Sequence, residues 1–74
     1  MSPREIEPGA RYRGNKATYV NGELIAETTH DMFRLVLDLF TGTSGEWVAY
    51  QLPWGEIRCQ RRTGFARWAK ERLP

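Results

Sequence analysis

The stretch Met32-Phe33-Arg34-Leu35-Val36-Leu37-Asp38-Leu39-Phe40 decides the fold, because it reads two ways. As a strand, Phe33, Leu35, Leu37 and Leu39 alternate onto one buried face, while Val36 and Phe40 need some cover of their own. As a helix over residues 29–41, Thr28 or Thr29 caps it, Asp31 sits in the first turn, Arg34 and Asp38 pair at i,i+4, and Gly42 stops it. That helix would be apolar nearly all round. A chain of 74 residues has little left to cover it on every side. The strand is preferred, and the fold expected is mainly β, with α+β as the alternative.

Upstream, Asn21-Gly22 separates Ala17-Thr18-Tyr19-Val20 from Glu23-Leu24-Ile25-Ala26. Asn-Gly suits a type I′ turn, which needs positive φ at both centres and matches strand twist. Closing the hairpin there sets Val20 opposite Glu23, Tyr19 opposite Leu24, Ala17 opposite Ala26 and Lys16 opposite Glu27. Tyr19, Leu24, Ala17 and Ala26 then share one face, with an opposite-charge pair on the other.

Downstream, Thr41-Gly42-Thr43-Ser44-Gly45 reads as a loop. Residues 46–52 alternate, with Val48, Tyr50 and Leu52 on one face and Trp47, Ala49 and Gln51 on the other. Pro53-Trp54-Gly55 is a tight connection to residues 56–62, where Ile57 and Cys59 oppose Glu56, Arg58, Gln60 and Arg62. From Thr63, a plausible cap, Phe65, Trp68, Ala69 and Leu73 fall at helical spacing, which predicts a helix over 64–73 that Phe65 and Trp68 anchor on the sheet. Lys70 and Arg72 would complement its dipole. Residues 1–9, with Pro3, Pro8 and Gly9, read as an irregular lead-in, and residues 10–74 as one β-rich domain. With Ala10 to Arg13 as an edge strand, the outline is a small five-stranded SH3-like barrel or meander closed by a short C-terminal helix.

Three stretches, Pro8-Gly9-Ala10-Arg11-Tyr12-Arg13, Glu46-Trp47-Val48-Ala49-Tyr50 and Phe65-Ala66-Arg67-Trp68, carry a resemblance. The chain resembles short bacterial and prophage-encoded families of uncharacterised proteins, which share a Gly-x-x-Tyr opening, a central Val-x-Tyr strand and a C-terminal Phe-containing element. The resemblance implies a small barrel from a bacterial or mobile-element source. It carries no functional residues across.

Composition narrows the function classes. The length admits one domain, and the single Cys excludes an internal disulfide framework and a Cys-rich zinc site. No apolar run approaches the roughly 20 residues of a spanning helix, and Met1-Ser2-Pro3-Arg4-Glu5 has no signal-peptide core. A cytoplasmic domain without membrane contact is expected. The net charge of +2 hides an asymmetry. Residues 53–74 hold six cations against two anions, and residues 1–52 five against seven. Nine of the eleven cations are Arg, the planar fork that stacks on aromatics and grips carboxylate or phosphate bidentately.

Catalysis finds little support. Thr29-His30-Asp31 has triad-like letters, but neighbours on a strand point to opposite faces, and His30 is expected at a connecting turn. Cys59 shares a face with Ile57, and the reading favoured for it is a small buried thiol. Glu27, His30, Asp31 and Cys59 are the only metal donors worth naming, and no spacing pairs two soft ligands. Gly42-Thr43-Ser44-Gly45 lacks the Gly-Lys of a phosphate loop. The expectation is a non-enzymatic module without a cofactor.

What remains is basic and aromatic. Trp47 and Trp54, with Arg58, Arg61, Arg62 and Arg67, combine stacking surface with phosphate-neutralising charge, as binders of RNA or single-stranded DNA do. The bland reading makes Trp68 core and the Arg set a solvated face. The same residues are enriched at protein interfaces, so an acidic protein partner, a host factor to inhibit, or a homo-oligomer formed through an open sheet edge is the competing expectation.

Overall fold

Residues 23–41 contain no Gly, Pro or Asn, the residues that most readily turn a chain, and the backbone runs through them as a single strand. The computed structural model describes the backbone of residues 1–74 and the side chains of residues 1–14, 20–23 and 33–74. Its strands are β1 (Arg11–Val20), β2 (Glu23–Gly42), β3 (Gly45–Gln51), β4 (Ile57–Arg61) and β5 (Ala69–Leu73). A helix α1 (Arg62–Trp68) separates β4 from β5, and a 3-10 turn spans Pro3–Glu5. All neighbours pair antiparallel in the order β4-β3-β2-β1-β5. The sheet is unclosed. β4 and β5 are its two edges, so of barrel and meander the chain is the meander.

β2 organises the sheet. At about 3.3 Å per residue a straight strand of this length would span roughly 65 Å, and the longest dimension of the molecule is 33 Å. The strand therefore coils, and it changes partner as it does so. Up to Leu35 it pairs with β1, and from Leu35 onward with β3. The helix considered for residues 29–41 is overturned, and His30 lies within β2 rather than at a turn. Residues expected as two strands, 23–27 and 32–40, are one, and of the expected edge strand Ala10 to Arg13, Arg11 to Arg13 merely open β1 instead of adding a strand.

The Asn21-Gly22 turn is as expected, with φ of 51° and 81° and Val20 opposite Glu23. Tyr19 opposes Leu24 as expected. The backbone register then shifts, placing Ala26 opposite Thr18, Glu27 opposite Ala17 and Thr28 opposite Lys16. A bulge leaves Ile25 without a partner, which displaces the Ala17–Ala26 and Lys16–Glu27 pairs. The shared face expected for those side chains lies outside the described residues.

A second irregularity, between Val36 and Asp38, changes which face of β2 is buried. Leu37 is the extra residue, 41% exposed, and Val36 is fully buried opposite Tyr50. The expected face of Phe33, Leu35, Leu37 and Leu39 thus gives way to Arg34, Val36 and, past the bulge, Leu39. Val48 and Tyr50 of β3, and Leu52 just past its end, are buried as the alternation predicted. Tyr12, Phe65, Ala66 and Ala69 complete the core. The 1–9 segment belongs to it too. Ile6 is fully buried, Tyr12 Oη donates to Glu5 C=O at 2.7 Å and accepts from Glu7 N–H at 2.9 Å, and Gly9 N–H donates to Val36 C=O.

The C-terminal element is a correction. α1 ends at Trp68, and the residues expected to complete a helix over 64–73 instead form β5, paired with β1 from Arg11–Leu73 to Gly14–Ala69. The Arg11–Gly14 edge needs a partner, and backbone pairing there satisfies groups that an extended helix would leave open. Arg61, without a side-chain cap bond, holds the N-cap position in place of Thr63.

One side chain ties these parts together. The Arg34 guanidinium lies 3.8 Å from the Trp68 ring centre, 4.8 Å from that of Tyr50 and 5.9 Å from that of Phe65. Its Nη1 donates to Gln60 Oε1 at 2.6 Å. Burial lowers its pKa, the Tyr50 hydroxyl works the other way, and the Arg58 charge lowers it further. Arg34→Ala is expected to cost about 2–3 kcal/mol, from lost cation–π contact and an orphaned Gln60. Arg34→Lys should recover less than half of that, since an ammonium cannot stack. Urea denaturation checks both, with exposed Arg58→Ala as the reference expected within about 0.5 kcal/mol of the parent.

Trp68 also fixes its neighbour on β1. A Cβ at Gly14 would collide with the Trp68 carbonyl oxygen and indole ring, and the carbonyl belongs to the backbone and cannot swing away. Gly14→Ala should lose about 3 kcal/mol or more in the same assay.

Candidate binding face

Strand alternation divides the sheet into a covered side and an outer side. Opposite Val48 and Tyr50, the outer side of β2, β3 and β4 gathers Phe40, Trp47, Ala49, Ile57, Cys59 and Arg61, together with Asp38 and Gln51. Phe40, at one end of this side, is 40% and Ile57, at the other, 60% exposed, and Leu37 stands out at the bulge. Trp47 is half-buried because its indole lies against Gly42, where a Cβ would come within 2.8 Å of the ring. Arg61 covers the other side of that indole at 5.1 Å from the ring centre, and its Nη1 donates to Ser44 C=O at 2.7 Å. The result is a largely apolar surface, interrupted by Asp38 and Gln51, with a restrained cation at its rim.

Trp54 sits elsewhere. The β3–β4 turn is closed by Leu52 N–H donating to Glu56 C=O and Gly55 N–H to Leu52 C=O, with Gly55 at φ 97°. Trp54 at its tip is 58% exposed, and its Nε1–H donates to Glu56 Oε2 at 3.1 Å. Arg58 Nη2 donates to the same oxygen at 2.9 Å. Arg58 shares the covered side of β4 with Gln60, as the alternation predicted, and so points away from Trp47 and Arg61.

Arg62 has a different role from the one its sequence position suggested. Its Nε and Nη2 donate to Pro3 and Ile6 carbonyls at 2.8 and 3.2 Å, and its Nη1 to Glu46 Oε2 at 2.8 Å. It staples the N-terminal segment to the start of α1. Arg67 is exposed on α1. The six expected residues therefore do not converge. Trp47 pairs with Arg61 on the outer face, Trp54 with Arg58 at the turn, and Arg62 and Arg67 belong to the helix.

No family model, curated protein or solved structure matches this chain. The site must be judged on its geometry alone. Cys59 is exposed, contrary to the buried-thiol reading, because nothing packs on the outer side of an edge strand. Glu27, His30 and Asp31, weighed as metal donors, have side chains outside the described residues. Among the described residues no three His, Cys, Asp or Glu side chains gather, and no helix is long and apolar enough to cross a membrane. An open depression of about 180 Å³ lies between Leu39, Phe40, Thr41, Glu46 and Arg62, below the roughly 300–1,000 Å³ of small-molecule pockets.

Phe40, Leu37 and Ile57 were missed as site residues. Phe40 was noted as needing cover, and that was the available signal. The Trp54–Glu56–Arg58 cluster yields a pH test. The hydrogen bond from Trp54, and then that from Arg58, hold the Glu56 carboxyl below its ordinary value. A depressed carboxylate stabilises its surroundings above the unfolded pKa and loses that effect as pH falls through the folded one. The Trp54 indole N–H resonance should therefore titrate with a midpoint below the usual Glu value of about 4.3. Glu56→Gln, which keeps an acceptor but no charge, should abolish the titration, and a midpoint at or above the usual value would refute the bridge.

Proposed function

We propose that this protein is a non-enzymatic interaction module whose outer β2–β3–β4 face docks on another protein. The observation that carries this reading is the outer side on which exposed Leu37, Phe40 and Ile57 and half-buried Trp47 are gathered, with Ala49 and Cys59 in the row between Trp47 and Ile57. Scattered exposed hydrophobics need no explanation, but several gathered on one sheet face point to an interaction site. Arg61 at the rim, in a C-terminal segment with six cations against two anions, favours a partner with an apolar centre and acidic margin. Trp and Arg of this kind are the usual energetic centres of such contacts.

A second reading, contact with single-stranded RNA or DNA, keeps one specific support. Arg61 over Trp47, and Trp54 beside Arg58, are stacking-and-charge pairs of the sort single-strand binders use. Against it, Arg58, Arg61 and Arg62 are all committed to acceptors in their own chain. A bacterial or prophage origin, and inhibition of a host factor, are compatible with the protein-docking reading.

Capture from cells with the tagged chain is expected to retain a specific protein that is lost with Phe40→Asp and kept with Arg67→Ala. Fluorescence anisotropy with short RNA and DNA oligonucleotides at low salt is expected to show no saturable binding. Tight oligonucleotide binding whose salt slope falls with Arg58→Ala would transfer the proposal to nucleic acid. An identical capture profile for the parent and Phe40→Asp would overturn the face.

A further inference from the structure

The geometry points to a second copy of this chain as the partner of the open β4 edge, paired antiparallel about Cys59. This goes beyond the docking face, because the edge and the face are separate surfaces and either can fail alone.

Hydrogen-bond phase identifies what the edge offers. Leu52 N–H donates to Glu56 C=O, and β3 and β4 then pair without a register shift from Gln51–Ile57 to Trp47–Arg61. Glu56, Arg58 and Gln60 therefore turn their backbone groups toward β3. Ile57 and Cys59 turn theirs outward, where β4 ends the sheet, and so does the Arg61 N–H, while the Arg61 C=O enters the first turn of α1. Unpaired rows of this kind are templates for strand addition.

The two edges of the sheet are not equally open. β5 presents Lys70, Glu71 and Arg72, and ion pairs run from Arg13 to Glu71 and from Arg72 to Glu7. Charges in such density are the usual guard of an edge. On the outer side of β4 the corresponding side chains are Ile57, 60% exposed, Cys59 and Arg61, and Arg61 is drawn back onto Trp47 and Ser44 C=O. Ile57 and Cys59 carry no charge to guard the edge.

Register selects a second copy over a foreign strand. Cys59 is the central residue of Ile57–Arg61, so antiparallel self-pairing about it sets Cys59 against its symmetry mate and Ile57 against Arg61 of the second copy. Arg58 then faces Gln60 of the second copy. No like charges stand directly opposite, and each Arg58 brings its own Glu56 counter-ion at 2.9 Å. The outward N–H and C=O groups of Cys59, the C=O of Ile57 and the N–H of Arg61 all find partners, while the Arg61 carbonyl already accepts within α1. The two outer faces fall on the same side of the joined sheet, so the surface bearing Phe40 and Trp47 is doubled. So short a ladder covers less than the roughly 1,200 Å² of a stable interface. The dimer is accordingly weak and concentration-dependent.

Sedimentation velocity over a concentration series, in a Cys59→Ser background that excludes cross-linking, tests the register. Ile57→Lys places two cations opposite one another at both ends of the ladder, and should weaken the dimer at least about tenfold. Ile57→Glu places an anion opposite Arg61, and should strengthen it about threefold or more. Ile57 is exposed, so both variants should fold, which circular dichroism checks. Loss of the dimer with both substitutions would assign it to apolar adhesion and overturn the pairing. A parent that stays monomeric at millimolar concentration would overturn it as well, while leaving the Phe40→Asp capture result to judge the face.

The native Cys59 supplies an independent readout. A hydrogen-bonded antiparallel pair has Cα atoms about 5.5 Å apart, within the roughly 4.4–6.8 Å that a disulfide spans. Diamide, which accepts two electrons and two protons from two thiols, should cross-link the parent at a rate that falls with Ile57→Lys and rises with Ile57→Glu. Equal rates in all three would count against the register.

Discussion

The packing of Arg34 among Trp68, Tyr50 and Phe65 is the contact on which the rest of the sheet depends. It joins β2 to β3, to α1 and, through Gln60, to β4. Phe65 is the hub of the surrounding rings, with centroids 5.7 Å from Tyr12, 5.5 Å from Tyr50 and 5.4 Å from Trp68. An open sheet in so short a chain cannot bury a thick second layer. A seven-residue helix has to cover it, and such a helix is unstable alone. Two aromatic side chains and a flat cation supply the missing thickness. Arg suits the position because its guanidinium stacks and hydrogen-bonds in the same plane, which an ammonium cannot do.

Intramolecular use of arginine explains the charge pattern that the sequence displays. The C-terminal third looks like a basic tail, yet Arg58, Arg61, Arg62 and Arg72 are each bonded to an acceptor from another part of the chain or a nearby turn. The carboxylates that balance them, Glu46 and Glu7 among them, sit in the slightly acidic first part. The four ion pairs among the described residues are solvent-exposed to varying degrees, and pairs of that kind contribute about 0–1 kcal/mol each. Arg62 is the exception in kind. Its side chain is 20% exposed and satisfies two backbone carbonyls of the N-terminal segment as well as Glu46.

Local signals in the sequence were read correctly where local chemistry decides the outcome. Asn21-Gly22, the Pro53-Trp54-Gly55 turn and the Val48-Tyr50-Leu52 face follow from φ preferences and strand alternation, which need no knowledge of distant residues. The strand reading of residues 32–40 succeeded, but its face was wrong. The bulge at Leu37 moves the buried side from even positions before it to odd positions after it, and bulges leave no local mark in a run without Gly. β5 was taken for helix because Phe65, Trp68, Ala69 and Leu73 match both a helical stripe and a helix followed by a strand. Only pairing with Arg11–Gly14, more than fifty residues away in sequence, separates the two. The candidate site failed for the same reason. Arg58, Arg61 and Arg62 are neighbours in sequence, but strand alternation and the start of α1 send them to three different places.

The outer face remains the one region where fold and composition pull apart. Phe40, Leu37 and Ile57 stay 40–60% exposed, so much of their burial free energy, about 25 cal/mol per Å² of apolar area, is left unrealised. Polar residues at those positions would serve the sheet as well and would guard the β4 edge better. Elsewhere in the described structure Val20 and Trp54 are also open, each at a turn, whereas Ile6, Tyr12, Val36, Val48 and Phe65 are fully buried. A chain so sparing of its apolar residues, yet leaving three of them open on the sheet face that ends in the β4 edge, has a surface whose burial association would complete, as the proposed docking requires. The stabilisation withheld from the monomer is then available to the complex, and the aromatic cluster around Arg34 is what allows the monomer to fold without it.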